Sequence, residues 1–374
     1  MHEGVDTNMS SSKKIYMILT NGFDPDVRVY KEAKYLVTEG FNVEIICWDR
    51  KCEYVDRNEE VIDGINIKRF CIPSKPGTGM KQIIPYIKFI KNTRKYLKDK
   101  EYSYLHCHDF DGIVVGMFTK NKKKTKIIFD MHEIYKNYSY ARNIFFDFVF
   151  NKILKKSDYI IHVNEAQIEG MKSTIKEKTV FLPNYPESKV YEPIEKNASE
   201  KIRVNYIGAL RDYESLNSLA KLNNNDKNIE VGLYGTGVCY DKLKEQYQGS
   251  NVKVYGKYNG ITESGEIYRN TDILYCSYNP QIKNWKTSYP VKLFESIVTL
   301  TPVIVTENTV SGDFVEKYGI GKTIKYGDTE SIINAILDIK QSYDMYVENI
   351  KNISDNYKWE NVVKNLKKVY KNLL

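Results

Sequence analysis

Two doubly wound α/β domains in tandem are the fold class this sequence predicts, and three observations carry it. Short, solidly apolar runs alternate with amphipathic stretches along most of the chain, the mark of parallel strands covered on both faces by helices. The chain has 374 residues, enough for two domains of roughly 150 residues each. The alternation breaks once, over residues 187–201, and then restarts.

The first strand is the run Ile15–Thr20, closed by Asn21-Gly22. Behind it Val29, Ala33, Leu36 and Val37 fall on one helical face, and Asp24 or Asp26 is placed to cap that helix. Val43–Trp48 is the second strand. Ile65–Cys71, Tyr104–Cys107, Lys126–Asp130, Tyr159–Val163 and Thr179–Leu182 follow, with helical patterns between most of them. Pro183-Asn184-Tyr185-Pro186 ends a first domain spanning 13–186, and the polar, aperiodic stretch 187–201 reads as a linker. The second domain, 202–356, carries strands at Ile202–Ile207, Glu230–Tyr234, Val252–Tyr255, Ile273–Cys276 and Pro302–Thr306. A last helix within 357–374 sets Val362, Leu366, Val369, Tyr370 and Leu373 on one side. No strand follows it, so it has to dock on something already built.

Composition narrows the class. Hydrophobic residues make up 42% and charged residues 28%, which supports a large core and excludes disordered, collagenous and low-complexity chains. Six scattered cysteines without a CxxC pair are too sparse for a disulfide framework and suit a reducing cytosol. No apolar run approaches the ~18 residues of a membrane span, and the N-terminal stretch lacks a signal-peptide core. A cytoplasmic location is therefore expected. Net charge is +8. Residues 1–190 hold 32 Lys and Arg against 25 Asp and Glu, and the remainder 24 against 23. A basic half suits nucleic acid, an anionic membrane or phosphorylated substrates. The basic residues are dispersed and no recognition motif appears, so no nucleic-acid partner is expected.

In open α/β sheets ligands bind beyond the carboxyl ends of strands, so chemistry is sought there. The first such end is Asn21-Gly22-Phe23-Asp24-Pro25-Asp26-Val27-Arg28, where Gly22 permits a tight turn and Asp26 and Arg28 open the helix; alone it reads equally well as a capped helix with a surface ion pair. Two further ends carry His106-Cys107-His108-Asp109 and Asp130-Met131-His132-Glu133. Asp109-Phe110-Asp111 matches a short metal motif, but no HxxxH or CxxC spacing supports it, and no metal is expected. In the second half Gly235-Thr236-Gly237 follows a strand, where glycines let backbone N–H groups approach a phosphate. Tyr240 occupies the third-glycine position, so a nicotinamide cofactor is not supported. Arg211 ends another strand and either grips a phosphate or pairs at the surface. Tyr289-Pro290-Val291-Lys292-Leu293-Phe294-Glu295 is the most specific stretch. Pro290 fits the first helical position, Lys292 lies in the anion-favouring first turn, and Glu295 shares its face. A nucleotide would put its diphosphate on Lys292 and its ribose on Glu295, whereas spacing alone also fits an exposed Lys–Glu pair.

Together these segments resemble the retaining glycosyltransferases of family 4, with the GT-B fold of two Rossmann-like domains facing a central cleft and a C-terminal helix crossing back to the first. The resemblance runs from Lys14 to Leu374 and rests on Asp26–Ala33 with Gly40, Asp130–Glu133, Phe181-Leu182-Pro183-Asn184, Gly235-Thr236-Gly237 and Pro290–Glu295 leading to Thr301-Pro302-Val303-Ile304. It implies that the second domain binds a UDP- or GDP-linked sugar as donor substrate and the first an acceptor, a glycan or lipid-linked molecule of polysaccharide or glycoconjugate assembly. No other cofactor is implied. The closing acid of the family's E-x7-E motif falls on Glu295, while Thr287 stands where the first acid belongs. Glu214 and Ser215 stand where a basic residue and a glycine of the phosphate motif are expected, leaving Arg211 and Lys292 as the cations. The resemblance makes His132, Arg211 and Lys292 catalytic. Glu295, Gly235, Gly237 and Pro290 join the last two on the nucleotide, and Gly22, Asp26, Arg28, His108, Asp109 and Glu133 fall on the acceptor or sugar side. The departures keep open a catalytically inactive nucleotide-sugar binder or a nucleotide-sugar epimerase. Lys81–Lys98, basic and apolar by turns, and the aromatic Phe145–Phe150 suit an anionic membrane surface, or equally two sheet-covering helices.

Overall fold

The computed structural model describes residues 14–24, 26–75, 79–120, 125–135, 144–192, 194–224 and 228–370. They form two compact units: the chain up to Pro183 together with the segment from Val363, and Asn184–Val362. Leu373, expected on the last helix, lies outside the described residues.

In chain order the first unit runs β1 (Lys14–Leu19), α1 (Val27–Thr38), β2 (Asn42–Asp49), β3 (Glu59–Ile62), β4 (Ile65–Cys71), α2 (Ile83–Leu97), β5 (Tyr104–His108), α3 (Asp109–Thr119), β6 (Lys126–Met131), α4 (Ile144–Lys156), β7 (Tyr159–His162), α5 (Ser173–Lys176) and β8 (Thr179–Phe181). Its sheet has the order β3-β4-β2-β1-β5-β6-β7-β8. All neighbours are parallel except the β3–β4 hairpin. Central strands are fully buried, as at Ile15, Met17, Val43 and Ile45, because helices cover both faces and leave no strand a wet side.

The second unit runs β9 (Ile202–Ile207), α6 (Tyr213–Ala220), β10 (Ile229–Tyr234), α7 (Tyr240–Gln246), β11 (Lys253–Gly256), α8 (Ser264–Arg269), β12 (Ile273–Cys276), α9 (Lys283–Thr287), α10 (Val291–Val298), β13 (Val303–Thr306), α11 (Val310–Tyr318), β14 (Gly321–Ile324), α12 (Thr329–Gln341), α13 (Tyr343–Ser354) and α14 (Trp359–Val362). Its six strands are all parallel, in the order β11-β10-β9-β12-β13-β14. The stretch 187–201 is not free chain in this unit. Tyr191 is buried, and Lys196 donates to the Tyr268 carbonyl at 2.9 Å and to Thr301. The terminal helix α15 (Lys364–Tyr370) rejoins the first unit. Tyr104 donates to the Tyr370 carbonyl at 3.0 Å, and Asn365 reaches the Phe181 carbonyl at 3.1 Å.

One expectation is corrected outright. Cys52 and Cys71 are joined by a disulfide, while Cys47, Cys107, Cys239 and Cys276 are free and buried. Parallel pairing of β2 with β4 sets Asp49 beside Cys71. The chain then folds back at Cys52, whose φ is +56°, so the pair meets across the strand ends. Scattered sequence positions concealed this, and cysteine usage no longer argues for a reducing compartment. No helix among the described residues is long and apolar enough to cross a membrane.

Candidate functional site

In the first unit the residues singled out at three strand ends converge. Asp26 is the α1 cap, accepting from the Val29 N–H at 3.3 Å, which resolves the choice between Asp24 and Asp26. Gly22 belongs to a turn held by Arg69 of β4, which donates to the Gly22 carbonyl at 2.8 Å. Arg28 is no surface residue. Its guanidinium is 4% exposed and bonds both Asp130 oxygens (2.9 and 3.2 Å) and the Leu182 carbonyl (3.1 Å), with Glu32 at 3.0 Å. Sequence pointed to a capped helix with an exposed pair or to a substrate contact. The structure keeps the cap, replaces the exposed pair with a buried one, and makes any part of Arg28 in the second indirect, since protein groups occupy it.

Asp130 is the hub. His108 turns Nδ1 to it at 3.2 Å, and His132 turns Nε2 to it at 3.0 Å. His132 also faces Asp109 through Nδ1 at 3.4 Å. Asp109 holds a left-handed backbone at φ +60° and accepts a hydrogen bond from the Tyr135 hydroxyl at 2.9 Å. Burial would lower the His132 pKa, but Asp109 and Asp130 outweigh it and raise the ring to about 9. Burial likewise works against charge on Asp130, yet Arg28 and then His132 hold it well below the usual carboxylate range. Burial raises Glu32 to about 8 against the pull of Arg28, and burial together with His108 lowers His106 to about 4. At neutral pH the site therefore presents one imidazolium, His132, partly open to solvent, above a buried base of fixed charges. Glu133 is exposed beside it.

Glu32, His106, His108 and Asp130 bring ligand atoms within 4.8 Å of one another. Both Glu32 oxygens, His106 Nε2 and His108 Nε2 lack a hydrogen-bond partner. The cation this group holds is the Arg28 guanidinium, and a divalent ion would have to sit against it. Sequence reading did not select Glu32, Asp130 or Tyr135 as site residues. A carboxylate at Glu32, one turn beyond Arg28 and next to apolar Ala33, was the available signal.

In the second unit Arg211, Pro290 and Lys292 line one pocket of about 220 Å³. Its walls add Tyr206, Tyr278 and Trp285, which sequence reading missed. Neither Arg211 nor Lys292 has a carboxylate partner among the described residues. The nearby Asp212 is spent: it caps α6 and accepts from Tyr326 (2.6 Å) and the Asn279 N–H (3.2 Å). Pro290 is the cap of α10 and not its first residue, which still leaves Lys292 in the first turn. One glycine makes room for that lysine and a second for the backbone of the first. A Cβ at Gly208, φ +142°, would collide with the Lys292 side chain, and one at Gly235, φ +126°, with the Gly208 carbonyl. The Gly235 N–H donates to the Gly256 carbonyl at 2.7 Å, so it packs the loops and is not a phosphate donor; Gly237 packs on Leu210. Glu295 lies outside the pocket lining, where it accepts from the Tyr268 hydroxyl at 2.8 Å. Ser215, in the expected phosphate motif, is buried and donates to the Ser277 carbonyl at 2.9 Å, while Thr287 donates to the Lys283 carbonyl at 2.9 Å.

Two doubly wound units with polar sites at their strand ends are the arrangement of the GT-B fold. Residues 26–185 match the family model Glycosyltransferase Family 4, a span that holds Arg28, Glu32, His106, His108, Asp130 and His132. Over nearly its whole length the chain is similar in structure to sucrose-phosphate synthase from Thermosynechococcus elongatus, with TM-score 0.75, 15% identity, and 96% of this chain and 99% of that one covered. HepE from Anabaena, solved in complex with UDP-glucose, gives 0.68 at 13% identity, covering 96% and 99%. WaaG, a glycosyltransferase involved in lipopolysaccharide biosynthesis, gives 0.64 at 13% identity, covering 95% and 99%. No curated protein matches the sequence. The chain has the GT-B fold, and within it residues 26–185 resemble Glycosyltransferase Family 4.

Proposed function

We propose that this protein is a glycosyltransferase that moves a sugar from a UDP- or GDP-linked donor to a glycan or lipid-linked acceptor, with retention of configuration and without a metal, in cell-surface polysaccharide or glycoconjugate assembly. The observation that carries the reading is the pair of cations, Arg211 and Lys292, without a carboxylate partner among the described residues, on one pocket at the start of α10. Breaking a sugar–phosphate bond puts positive charge on the sugar and negative charge on the leaving diphosphate. Cations and a helix N-terminus already aimed at that diphosphate lower the barrier without reorganising. Glu295 takes the ribose hydroxyls, and the His132 imidazolium donates to an oxygen of the sugar or acceptor. The complex of HepE with UDP-glucose supports the donor class.

Incubation with a panel of nucleotide sugars tests this. A transferase releases nucleoside diphosphate when acceptor is present, an epimerase changes the sugar without release, and an inactive binder does neither. Chelator is expected to leave turnover nearly intact. Loss of activity restored by one specific metal would overturn the metal-free mechanism and promote Asp109, Asp111 and His108.

The location proposed is the cytoplasmic face of a membrane, held peripherally. Met80 just before α2, Ile83, Ile84 and Ile87 at its start and Ile144, Phe145 and Phe148 on α4 are exposed, and α3 packs against both helices. Lys88, Lys91, Arg94 and Lys95 continue α2. Apolar and basic residues so interleaved bind anionic interfaces. Sedimentation with anionic liposomes is expected at low salt and should weaken as salt is raised; no sedimentation at low salt would remove this reading.

A further inference from the structure

The second-unit pocket has a wall that a diphosphate does not use. Besides Arg211 and Lys292 it is lined by Tyr206 at the end of β9, Tyr278 beyond β12, Trp285 of α9 and Tyr289, with Ala209 and Pro290. At about 220 Å³ it is smaller than the ~300–1,000 Å³ of pockets that enclose a whole drug-sized ligand. It therefore takes one ring and not a nucleotide sugar entire. Glu295 and the tyrosines around it, Tyr191, Tyr258 and Tyr268, add nothing to this lining. A ribose on Glu295 and a diphosphate on Lys292 thus leave the pocket to the ring on the far phosphate, the donor's sugar.

This wall is short of hydrogen-bond acceptors. Asp212, the carboxylate on the lining, already serves the Ser215 and Asn279 N–H groups and the Tyr326 hydroxyl. The Tyr206 hydroxyl donates to the Ala209 carbonyl at 2.9 Å, and the Tyr278 hydroxyl is held by Tyr206 and Cys276. Arg211 and Lys292 can only donate. What remains is ring surface: Tyr278 and Trp285 meet at 5.5 Å between centroids, with their planes 46° apart. A sugar hydroxyl pressed into that corner gives up its water bonds without replacement, whereas a methyl group gives up none and gains from burial. We propose that the donor's sugar carries a methyl group, as a 6-deoxy or an N-acetyl sugar does, and seats it in the corner between Tyr278 and Trp285. The inference rests on the donor reading above and names the class of sugar that the same pocket selects.

Calorimetry on the full chain compares UDP, UDP-glucose, UDP-6-deoxyglucose and UDP-N-acetylglucosamine, and GDP, GDP-mannose and GDP-6-deoxymannose. In the series whose bare nucleotide binds, a methyl-bearing sugar is expected to bind at least about tenfold more tightly than its hydroxylated parent. The deoxy and acetamido arms tell the two sources of the methyl group apart. Trp285→Ala should erase most of that preference and leave the bare nucleotide's affinity unchanged. Trp285→Phe keeps a ring in the corner and should retain part of the preference. Trp285 is half-buried on the short helix α9, and retained nucleotide binding shows that each variant is folded. Equal affinity for hydroxylated and methyl-bearing sugars, or a preference that survives Trp285→Ala, would overturn the proposal while the donor reading stands. If Trp285→Ala weakens the bare nucleotide as much as the nucleotide sugar, the ring in the pocket is the base and the proposal falls. Binding of no nucleotide at all would remove the donor reading and this inference together.

Discussion

Glu295→Ala is expected to weaken UDP or GDP binding by at least about a hundredfold, while His132→Ala leaves that binding unchanged and removes most of the turnover. Two charge-assisted hydrogen bonds from a ribose to Glu295, each worth roughly 1.5–3 kcal/mol, exceed the ~2.8 kcal/mol that a hundredfold requires. The structure sharpens the design of this experiment. Glu295 also accepts from the buried Tyr268 hydroxyl, so Ala strands that hydroxyl at a cost of roughly 1–3 kcal/mol. Glu295→Gln keeps an acceptor for Tyr268 and discards only the charge; it should remain folded and still lose about tenfold or more in affinity. His132 is on the other unit, bracketed by Asp130 and Asp109, and its loss should fall on turnover. Calorimetry with the nucleoside diphosphate on folded variants decides. If both Glu295 variants bind like the parent, Glu295 serves only the buried tyrosines Tyr268 and Tyr191 and the donor placement is wrong.

The fold was legible wherever burial is complete. Strands such as Ile15–Thr20 and Ile273–Cys276 stand out because both faces are apolar, and their observed bounds differ by a residue or less. Two strands escaped. Glu59–Ile62 is an edge strand, partly wet, and reads Glu-Glu-Val-Ile; its best signal was Asp63-Gly64, both at positive φ in the turn to β4, a pattern that marks tight hairpins. Gly321–Ile324 is short and half polar at the far edge of its sheet. In the sites, what is local in sequence was visible: the Pro290–Lys292 cap and the Asp130–His132 strand end. What folding assembles was not. Arg28 and Asp130 are 102 positions apart, and the Tyr370 hydroxyl meets His106 Nδ1 at 2.7 Å across 264. Periodicity describes one element at a time, so it identifies Arg28 as opening a helix and says nothing of the carboxylate that neutralises it.

That pairing makes Arg28→Ala the substitution expected to damage stability most. Removing one member of a buried ion pair costs roughly 3–5 kcal/mol, because the other is left charged and dry. Here the stranded group is Asp130, wholly buried, and Glu32 loses the same partner. The loss should depend on pH. In the parent, Asp130 titrates well below its ordinary value, so its contribution is present above about pH 4 and disappears only as pH falls through that depressed value. In the variant, burial without Arg28 moves Asp130 the other way. The folded state then holds a proton that the unfolded chain releases, and stability falls as pH rises through the new value. His132, still charged and 3.0 Å away, limits the shift without replacing a two-pronged guanidinium. The gap between parent and variant should therefore already be present near pH 4, where the parent's ion pair is intact, and should widen toward pH 8 as the variant's Asp130 is forced to ionise. Arg28→Lys should close part of it, since an ammonium restores the charge but cannot span both Asp130 oxygens and the Leu182 carbonyl. Denaturant unfolding of parent, Ala and Lys variants at both pH values measures the gap. A loss independent of pH would mean that Arg28 supports the first unit by packing alone and that Asp130 keeps its charge without it.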